Sequence, residues 1–154
     1  MRETLEWMKC YMSEWSQSVV WNNVTSKSLD LSYGMPQGSI LGPLLFLVMV
    51  ADLPGYVTQG TTNNVNSKMT CFADDSAVYA SSKCASSLKM ELERMSERMI
   101  QYCQKFGLVI NVDKTQMLVS GVKSKDFSVR VGTNIVCPSN ELKLLGVASI
   151  KKGS

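Results

Sequence analysis

The sequence predicts an α+β fold in which an antiparallel sheet carries helices on one face. The chain has 154 residues, 45% of them apolar, which is enough for one domain with its own core. Many short strand-like segments are interrupted by a few helical ones. They show no regular strand–helix–strand alternation, so a parallel sheet is not indicated. We therefore treat residues 1–154 as a single domain.

Three helices are predicted, over residues 3–15, 39–53 and 87–106. Apolar residues recur at helical spacing in the first and third, and Gly107 is a suitable stop for the third. The second is apolar on all sides, which predicts a place at the centre of the core. Ser39 is a plausible N-cap for it, and Pro54-Gly55 is expected to end it.

The predicted strands are shorter and more numerous than the helices. They cover residues 18–21, 29–33, 69–72, 76–80, 108–112, 116–119, 127–131, 135–136 and 142–147. The first two are expected to form a hairpin around the polar pair Asn22-Asn23. The polar stretch 58–68 is expected to be a loop.

Composition excludes several classes of protein. Histidine is absent, so Ser/His/Asp triads and imidazole zinc sites are ruled out. The five cysteines are widely spaced and form no C-x-x-C pair, which argues against a disulfide framework. The first residues are charged where a signal peptide would be apolar, and the apolar run 44–51 is shorter than the roughly 20 residues of a membrane span. We expect an intracellular protein, cytoplasmic or nuclear, that is not in a membrane.

Charge is unevenly distributed along the chain. Residues 1–104 hold 8 basic and 10 acidic side chains, whereas residues 105–154 hold 8 basic and 3 acidic ones. The basic end is suited to phosphates. A solvated surface with a lysine-rich tail explains the same charges.

The most informative stretch is Phe72-Ala73-Asp74-Asp75, which lies between two predicted strands and therefore at a hairpin tip. Neighbouring carboxylates repel each other when ionised. Such a pair is most useful where a divalent cation neutralises it and orients phosphates. The stretch therefore indicates a nucleotidyl-transfer site, although Asp-Asp alone is more often a pair of loop charges.

Four further blocks accompany this pair in order along the chain. They are Gly34-Met35-Pro36-Gln37-Gly38-Ser39-Ile40-Leu41-Gly42-Pro43-Leu44-Leu45-Phe46, Ala51-Asp52-Leu53-Pro54, Asn111-Val112-Asp113-Lys114-Thr115 and Leu144-Leu145-Gly146-Val147. The ordered set resembles the reverse transcriptase domain of non-LTR (LINE-type) retrotransposons over nearly the whole chain. It implies a palm-like antiparallel sheet with packed helices over residues 1–147, followed by a basic tail, 148–154.

The resemblance also implies roles for individual residues. Asp74 would be the principal ligand of Mg²⁺ (or Mn²⁺) and Asp75 an auxiliary one, since oxygen ligands suit these ions. Lys114 would be an acid or charge stabiliser near the leaving pyrophosphate, although a solvated turn lysine would look the same. The residues implied to bind substrate are Gln37, Gly38, Phe72 and Ala73. Leu145 and Gly146 would form the primer grip, although an ordinary core strand has the same pattern, and Asp52 is assigned a structural role.

The implied partners are an RNA template, a DNA primer and deoxynucleoside triphosphates. In the family a further catalytic Asp lies on a strand upstream of the helix that corresponds to residues 3–15, and the fingers and thumb segments also lie outside these 154 residues. We therefore expect a palm fragment with weak or no polymerase activity. Two alternatives remain: a non-catalytic nucleic-acid-binding module that uses the basic residues Lys123, Lys125, Arg130, Lys151 and Lys152, or a decaying gene fragment.

Overall fold

The computed structural model describes residues 2–31, 34, 38–61, 64–121 and 127–150, the last three by their backbone only. They form two compact units, Met1–Phe46 and Leu47–Ser154. The strands form five separate two-stranded antiparallel sheets. The predicted mixture of helices and antiparallel strands is confirmed, but in the described part of the chain it is divided among small sheets. No helix in that part is long and apolar enough to cross a membrane.

Residues 2–31 of the first unit form one helix and two nested hairpins. The elements are α1 (Arg2–Tyr11), β1 (Ser16–Gln17), β2 (Val20–Trp21), β3 (Val24–Thr25) and β4 (Leu29–Asp30). β2 pairs with β3, and β1 pairs with β4. The expected pairing of residues 18–21 with 29–33 is therefore wrong. Asn22 and Asn23 both have positive φ, which a two-residue type I′ turn requires, so they connect β2 to the segment that follows at once.

The helix predicted over residues 3–15 ends four residues early, at Tyr11. Glu14 has a φ of 63°, and the Trp15 indole nitrogen donates to the Tyr11 carbonyl oxygen at 2.5 Å. Trp15 therefore folds back onto the end of the helix instead of extending it. The helical spacing of apolar residues indicates which face of a helix is apolar, but it does not indicate the residue at which the helix ends.

The second unit carries the longer elements. α2 (Gly42–Val50) begins in the first unit and ends here. It is followed by α3 (Leu53–Thr58), β5 (Val65–Phe72), β6 (Asp75–Ser82), α4 (Ala85–Lys105), a 3-10 turn (Val112–Lys114), β7 (Val129–Val131), β8 (Asn134–Val136), β9 (Glu141–Leu144) and β10 (Val147–Ile150).

The α2 region confirms one expectation and corrects two. Ser39 Oγ accepts a hydrogen bond from the Gly42 amide at 2.9 Å, as expected of a cap. Pro54 and Gly55 do not end that helix but lie in the first turn of α3, where proline is tolerated. Nor is α2 wholly buried, because side chains on one of its faces stay exposed: Leu44, Leu47 and Val48.

Two strand predictions also differ from the structure. β5 begins at Val65 and not at residue 69, because cross-strand pairing with β6 extends through the polar residues before Met69. The segments 108–112 and 116–119 do not form strands; the 3-10 turn lies between them, and Met117 makes an isolated bridge to Pro138.

The core of the second unit lies along one face of α4. A cluster of buried side chains joins this helix to β7 and to the chain before it: Leu88, Val119, Phe127 and Val129, with Ala80, Leu92 and Met117 packed against them. Ala80 belongs to β6, so this cluster supports one strand of the hairpin that carries the paired carboxylates. Gly107, with a φ of 69°, follows the end of α4 as predicted.

Candidate functional site

The paired carboxylates lie at the tip of the β5–β6 hairpin. The two strands are in register from Val65 opposite Ser82 to Phe72 opposite Asp75, so Ala73 and Asp74 alone form the turn. Both carboxylates are exposed. Asp74 is thus held in a two-residue turn and Asp75 begins the return strand, which confirms the predicted hairpin tip.

The donors at this tip fit part of a metal site. Adjacent carboxylate oxygens suit a hard divalent cation such as Mg²⁺. Within the described ranges no group of three or more His, Cys, Asp or Glu side chains is placed to hold a metal ion. Among the described residues, the tip thus brings together two adjacent carboxylates, Asp74 and Asp75, without a third side chain of these types grouped with them.

The face of β5 that points towards α4 holds the hairpin in place. Burial alternates along this strand: Val65 and Met69 are buried, and the residues between them on the other face are exposed. α3 and α4 both contact β5. Ser67, on the inward face, donates a hydrogen bond from its hydroxyl to the Glu91 carboxylate at 3.1 Å. This bond links the strand directly to α4.

Glu91 is a functional candidate that the sequence reasoning missed. Its side chain is buried, with 2% exposure. Arg94 Nη2 lies 2.7 Å from one carboxylate oxygen and Nε 2.9 Å from the other, a two-pronged ion pair. The Arg94 guanidinium holds the pKa of the Glu91 carboxyl below its ordinary 4.5. One signal was available: Glu91 stands three residues after Leu88 and four before Met95, on the apolar face of α4.

Two arginines of α4 also fasten the end of α3. Arg94 Nη1 donates to the Gln59 carbonyl oxygen at 2.8 Å, and Arg98 Nε donates to the Tyr56 carbonyl oxygen at 2.7 Å. The Arg98 guanidinium also lies over the Tyr56 ring, 4.4 Å from its centroid. The carbonyls at a helix end lack partners within the helix, so these contacts stabilise it. α3, α4 and β5 are thereby joined around Glu91.

Lys114 lies on the 3-10 turn and is exposed. The Asn111 side-chain oxygen accepts a hydrogen bond from the Lys114 amide at 3.2 Å, and the Thr115 hydroxyl donates to the Asn111 carbonyl oxygen at 3.0 Å. The spacing of Asn111, Lys114 and Thr115 thus has a local structural reason: the first and last residues close the turn that presents the lysine.

Leu145 and Gly146 form the two-residue turn between β9 and β10, with φ values of 50° and 79°. This turn divides the segment that was predicted as one strand, residues 142–147, between two paired strands. Gln116 closely follows the 3-10 turn Val112–Lys114, here named the lysine turn. Its Oε1 accepts a hydrogen bond from the Lys143 amide at 2.9 Å. This bond brings the β9–β10 hairpin next to the chain that follows the lysine turn, a contact that the sequence did not predict.

The sequence-predicted residues therefore occupy several places. One hairpin tip holds Phe72, Ala73, Asp74 and Asp75. Lys114 and the Leu145-Gly146 turn lie in two other segments of the same unit, and among the described residues no hydrogen bond joins either segment to that tip. Gly38 is an exposed turn residue of the first unit with a φ of 83°. Gln37 lies outside the described residues, as do Lys123, Lys125, Lys151 and Lys152.

Comparison with known proteins identifies the family. Residues 2–149 match the family model described as reverse transcriptase (RNA-dependent DNA polymerase). The chain belongs to this family. The match runs through both compact units. It includes the β5–β6 hairpin with its paired carboxylates, the lysine turn and the β9–β10 turn.

Curated relatives from transposons support the same conclusion. The chain is 31% identical over 108 residues to a probable RNA-directed DNA polymerase from transposon BS of Drosophila melanogaster, covering 70% of this chain and 12% of the relative. It is 26% identical over 107 residues to the RNA-directed DNA polymerase from mobile element jockey of the same species, again 70% of this chain and 12% of the relative. The chain thus spans about an eighth of the length of these relatives. No solved structure matches it significantly.

Proposed function

We propose that this chain is a palm portion of an RNA-directed DNA polymerase of a LINE-type retrotransposon, and that the β5–β6 turn supplies metal ligands for nucleotidyl transfer. One observation carries the proposal: Asp74 and Asp75 stand together, exposed, at a hairpin tip whose register is defined along its whole length. Asp74 would be the principal ligand of Mg²⁺ or Mn²⁺, and Asp75 would be an auxiliary ligand or electrostatic support.

When bound, the divalent cations of such a site neutralise phosphate charge and favour ionisation of an attacking hydroxyl. The contribution of the chain itself is placement. Asp74 and Asp75 hold negative charge at a point that solvent and phosphates can reach. The exposed ring of Phe72 and the backbone at Ala73, which has a φ of 50°, would contact the substrate at the same tip.

The remaining roles fall to the other segments. Lys114 would hold or transfer a proton near the leaving pyrophosphate, since an ammonium group is suited to developing phosphate charge. Gln37 and Gly38 would contact the template base and incoming nucleotide, and Leu145-Gly146 the primer backbone. The substrates would be an RNA template, a DNA primer and deoxynucleoside triphosphates, used inside the cell.

We further propose that these 154 residues alone polymerise weakly or not at all. The described residues supply two carboxylates at the tip, whereas a two-metal site needs enough oxygens to hold ions about 4 Å apart. Incomplete ligation lowers metal affinity and leaves the reacting groups poorly placed.

Metal binding is tested by titrating Mn²⁺ into isotope-labelled chain and following paramagnetic broadening of backbone amide signals by NMR. Broadening is expected at residues 73–76 and is expected to be lost in Asp74→Asn. Glu97→Gln is the matched control, because it removes an exposed carboxylate from α4 and should leave the broadening intact. Broadening that follows exposed carboxylates in general, with no preference for the turn, would contradict the metal site.

Catalysis is tested by primer extension with Mg²⁺ on an RNA template. Little or no incorporation is expected from this chain. Robust incorporation that Asp74→Asn abolishes would contradict the proposed inactivity while supporting the role of Asp74. Salt-sensitive RNA binding that is equal in the wild type and in Asp74→Asn/Asp75→Asn, without metal binding at the turn, would favour a non-catalytic nucleic-acid-binding module instead.

A further inference from the structure

Glu91 is the one buried charged side chain in the described part of the chain, with 2% exposure. A carboxylate removed from water is costly unless ionic and hydrogen-bonding partners surround it. Arg94 supplies a two-pronged ion pair from the same helix. Since that pair is formed within α4, it does not by itself connect the helix to the strands.

Ser67 makes that connection. Its hydroxyl donates to Glu91 Oε1 at 3.1 Å, and the Thr61 hydroxyl, 2.8 Å away, donates either to Ser67 Oγ or to the Thr58 carbonyl oxygen at 2.7 Å. These contacts run from the end of α3 through β5 to α4. Ser67 is the β5 residue whose side chain bonds Glu91.

The neighbours of Ser67 on the same face of β5 make this contact selective. Two residues to either side stand Val65 and Met69, both buried and both apolar. If the strand slid along α4 by two residues, one of these side chains would meet the Glu91 carboxylate and the serine hydroxyl would be lost. Arg94 would still pair with both carboxylate oxygens after such a shift, so its cost is the loss of the serine hydrogen bond and the placement of an apolar side chain against the buried ion pair. The contact therefore favours the observed register over its neighbours.

Register matters because Asp74 and Asp75 are at the end of the same hairpin. A shift of two residues would move the turn by about 7 Å along the strand direction, whereas a metal or catalytic site works within about 0.5 Å of its productive geometry. We propose that Glu91 is a positioning residue: through Ser67 it sets the register of the β5–β6 hairpin on α4 and so the place of the Asp74–Asp75 turn. The proposal rests on the metal-binding function proposed above.

The experiment compares three variants of the full 154-residue chain with the wild type. Glu91→Leu removes the buried carboxylate, Glu91→Gln keeps an acceptor for Ser67, and Ser67→Ala removes only the link from the strand. Glu97→Gln is the control for loss of a carboxylate on the exposed face of α4. Two readouts are taken by NMR: the pattern of α4–β5 nuclear Overhauser contacts and the apparent Mn²⁺ affinity at the amides of residues 73–76.

Glu91→Leu is expected to change the α4–β5 contacts and weaken Mn²⁺ binding at the turn by about tenfold, the size of effect found for groups that orient metal ligands. Ser67→Ala should act in the same direction but less strongly. Glu91→Gln should restore most of the wild-type behaviour, and Glu97→Gln should match the wild type in both readouts.

A purely structural role would lower stability without moving the turn. Unchanged α4–β5 contacts and unchanged Mn²⁺ affinity in folded Glu91→Leu would overturn the proposal. If that variant does not fold, the same two readouts in Ser67→Ala decide the question. If the wild type binds no Mn²⁺ at the turn, the proposed metal site fails, and the contact pattern alone decides whether Glu91 sets the register.

Discussion

The Tyr102 hydroxyl, near the end of α4, donates a hydrogen bond to the Asp52 carboxylate at the start of α3, 50 residues earlier in the chain. The same hydroxyl lies 2.6 Å from the Met49 carbonyl oxygen of α2. Burial, followed by the hydrogen bond and the charge of Asp52, raises the pKa of Tyr102 above its ordinary 10.0. One side chain of α4 thus holds the junction at which α2 ends and α3 begins, which supports the structural role predicted for Asp52.

Tyr102→Phe should lower the free energy of unfolding by about 1 kcal/mol, because it removes one hydrogen bond while the exposed Asp52 carboxylate regains water. Urea unfolding followed by circular dichroism measures the change. Tyr79→Phe is the matched control, since Tyr79 is 51% exposed, and it should be neutral. The contribution of the Tyr102 hydroxyl should be complete below pH 10 and be lost as pH rises further, because its raised pKa means that folding favours the protonated form. Equal stability of Tyr102→Phe and wild type would contradict the bond.

The stability that Glu91 contributes should depend on pH in the opposite direction. Its folded-state pKa is lowered, so the stabilising contribution of the Glu91–Arg94 pair is complete above the ordinary value of 4.5 and is lost as pH falls below it. Glu91→Gln should therefore show a weaker acid destabilisation than the wild type between pH 5 and 2 in urea unfolding series. Parallel pH profiles for the two proteins would show that the pair does not contribute.

Arg94→Leu should be more damaging than Glu91→Gln, because it leaves a buried carboxylate without its cation. Removal of one partner of a buried ion pair costs about 3 kcal/mol. Thermal unfolding measures the loss. Arg130→Leu is a suitable comparison, since the Arg130 side chain is exposed and the contact to Glu93 is made by the Arg130 backbone amide. A loss in Arg94→Leu no larger than in Arg130→Leu would contradict the buried pair.

Ala73 has a φ of 50°, a conformation that costs a residue with a Cβ about 1 kcal/mol. Ala73→Gly should therefore raise the free energy of unfolding by about 0.5 kcal/mol, the remainder being offset by the greater freedom of glycine in the unfolded chain. Ala77→Gly, within β6, should lower it by about 1 kcal/mol. Denaturant unfolding of the two variants measures both changes in the free energy of unfolding. Destabilisation by both substitutions would contradict the strained conformation of Ala73.

Cys84 should be the most reactive thiol at neutral pH among those of the described residues. It is exposed at the start of α4, and hydrogen bonds from Ser86 and then Ser87 lower the pKa of its thiol to about 7. Burial raises the pKa of Cys103 and also restricts access to it. Iodoacetamide labelling followed by peptide mass spectrometry should modify Cys84 first, with a rate that rises through pH 7. Faster modification of Cys103 would contradict this order.

Local patterns were sufficient for much of the fold. The spacing of apolar residues, together with Gly107 as a stop, predicted both ends of α4 to within two residues. The Asp-Asp pair between two apolar segments predicted the position of the hairpin tip. The same patterns failed where contacts distant in sequence decide. The Trp15 indole turns back onto Tyr11, and residues 108–112, although rich in apolar side chains, lack a strand partner among the described residues.

Residue types and their order thus determined the family, the paired carboxylates and the positions of the principal turns, because these depend on chemistry within a few neighbouring residues. Only the tertiary structure showed that Glu91 is buried, that Ser67 and Arg94 surround it, and that Tyr102 reaches Asp52. These contacts join residues 3 to 50 positions apart, and which of them form is decided by how α3, α4 and β5 pack. A glutamate on a helix is ordinarily solvated. Here the packing of α4 against β5 buries Glu91, and Glu91 links α4 to the β5–β6 hairpin through Ser67.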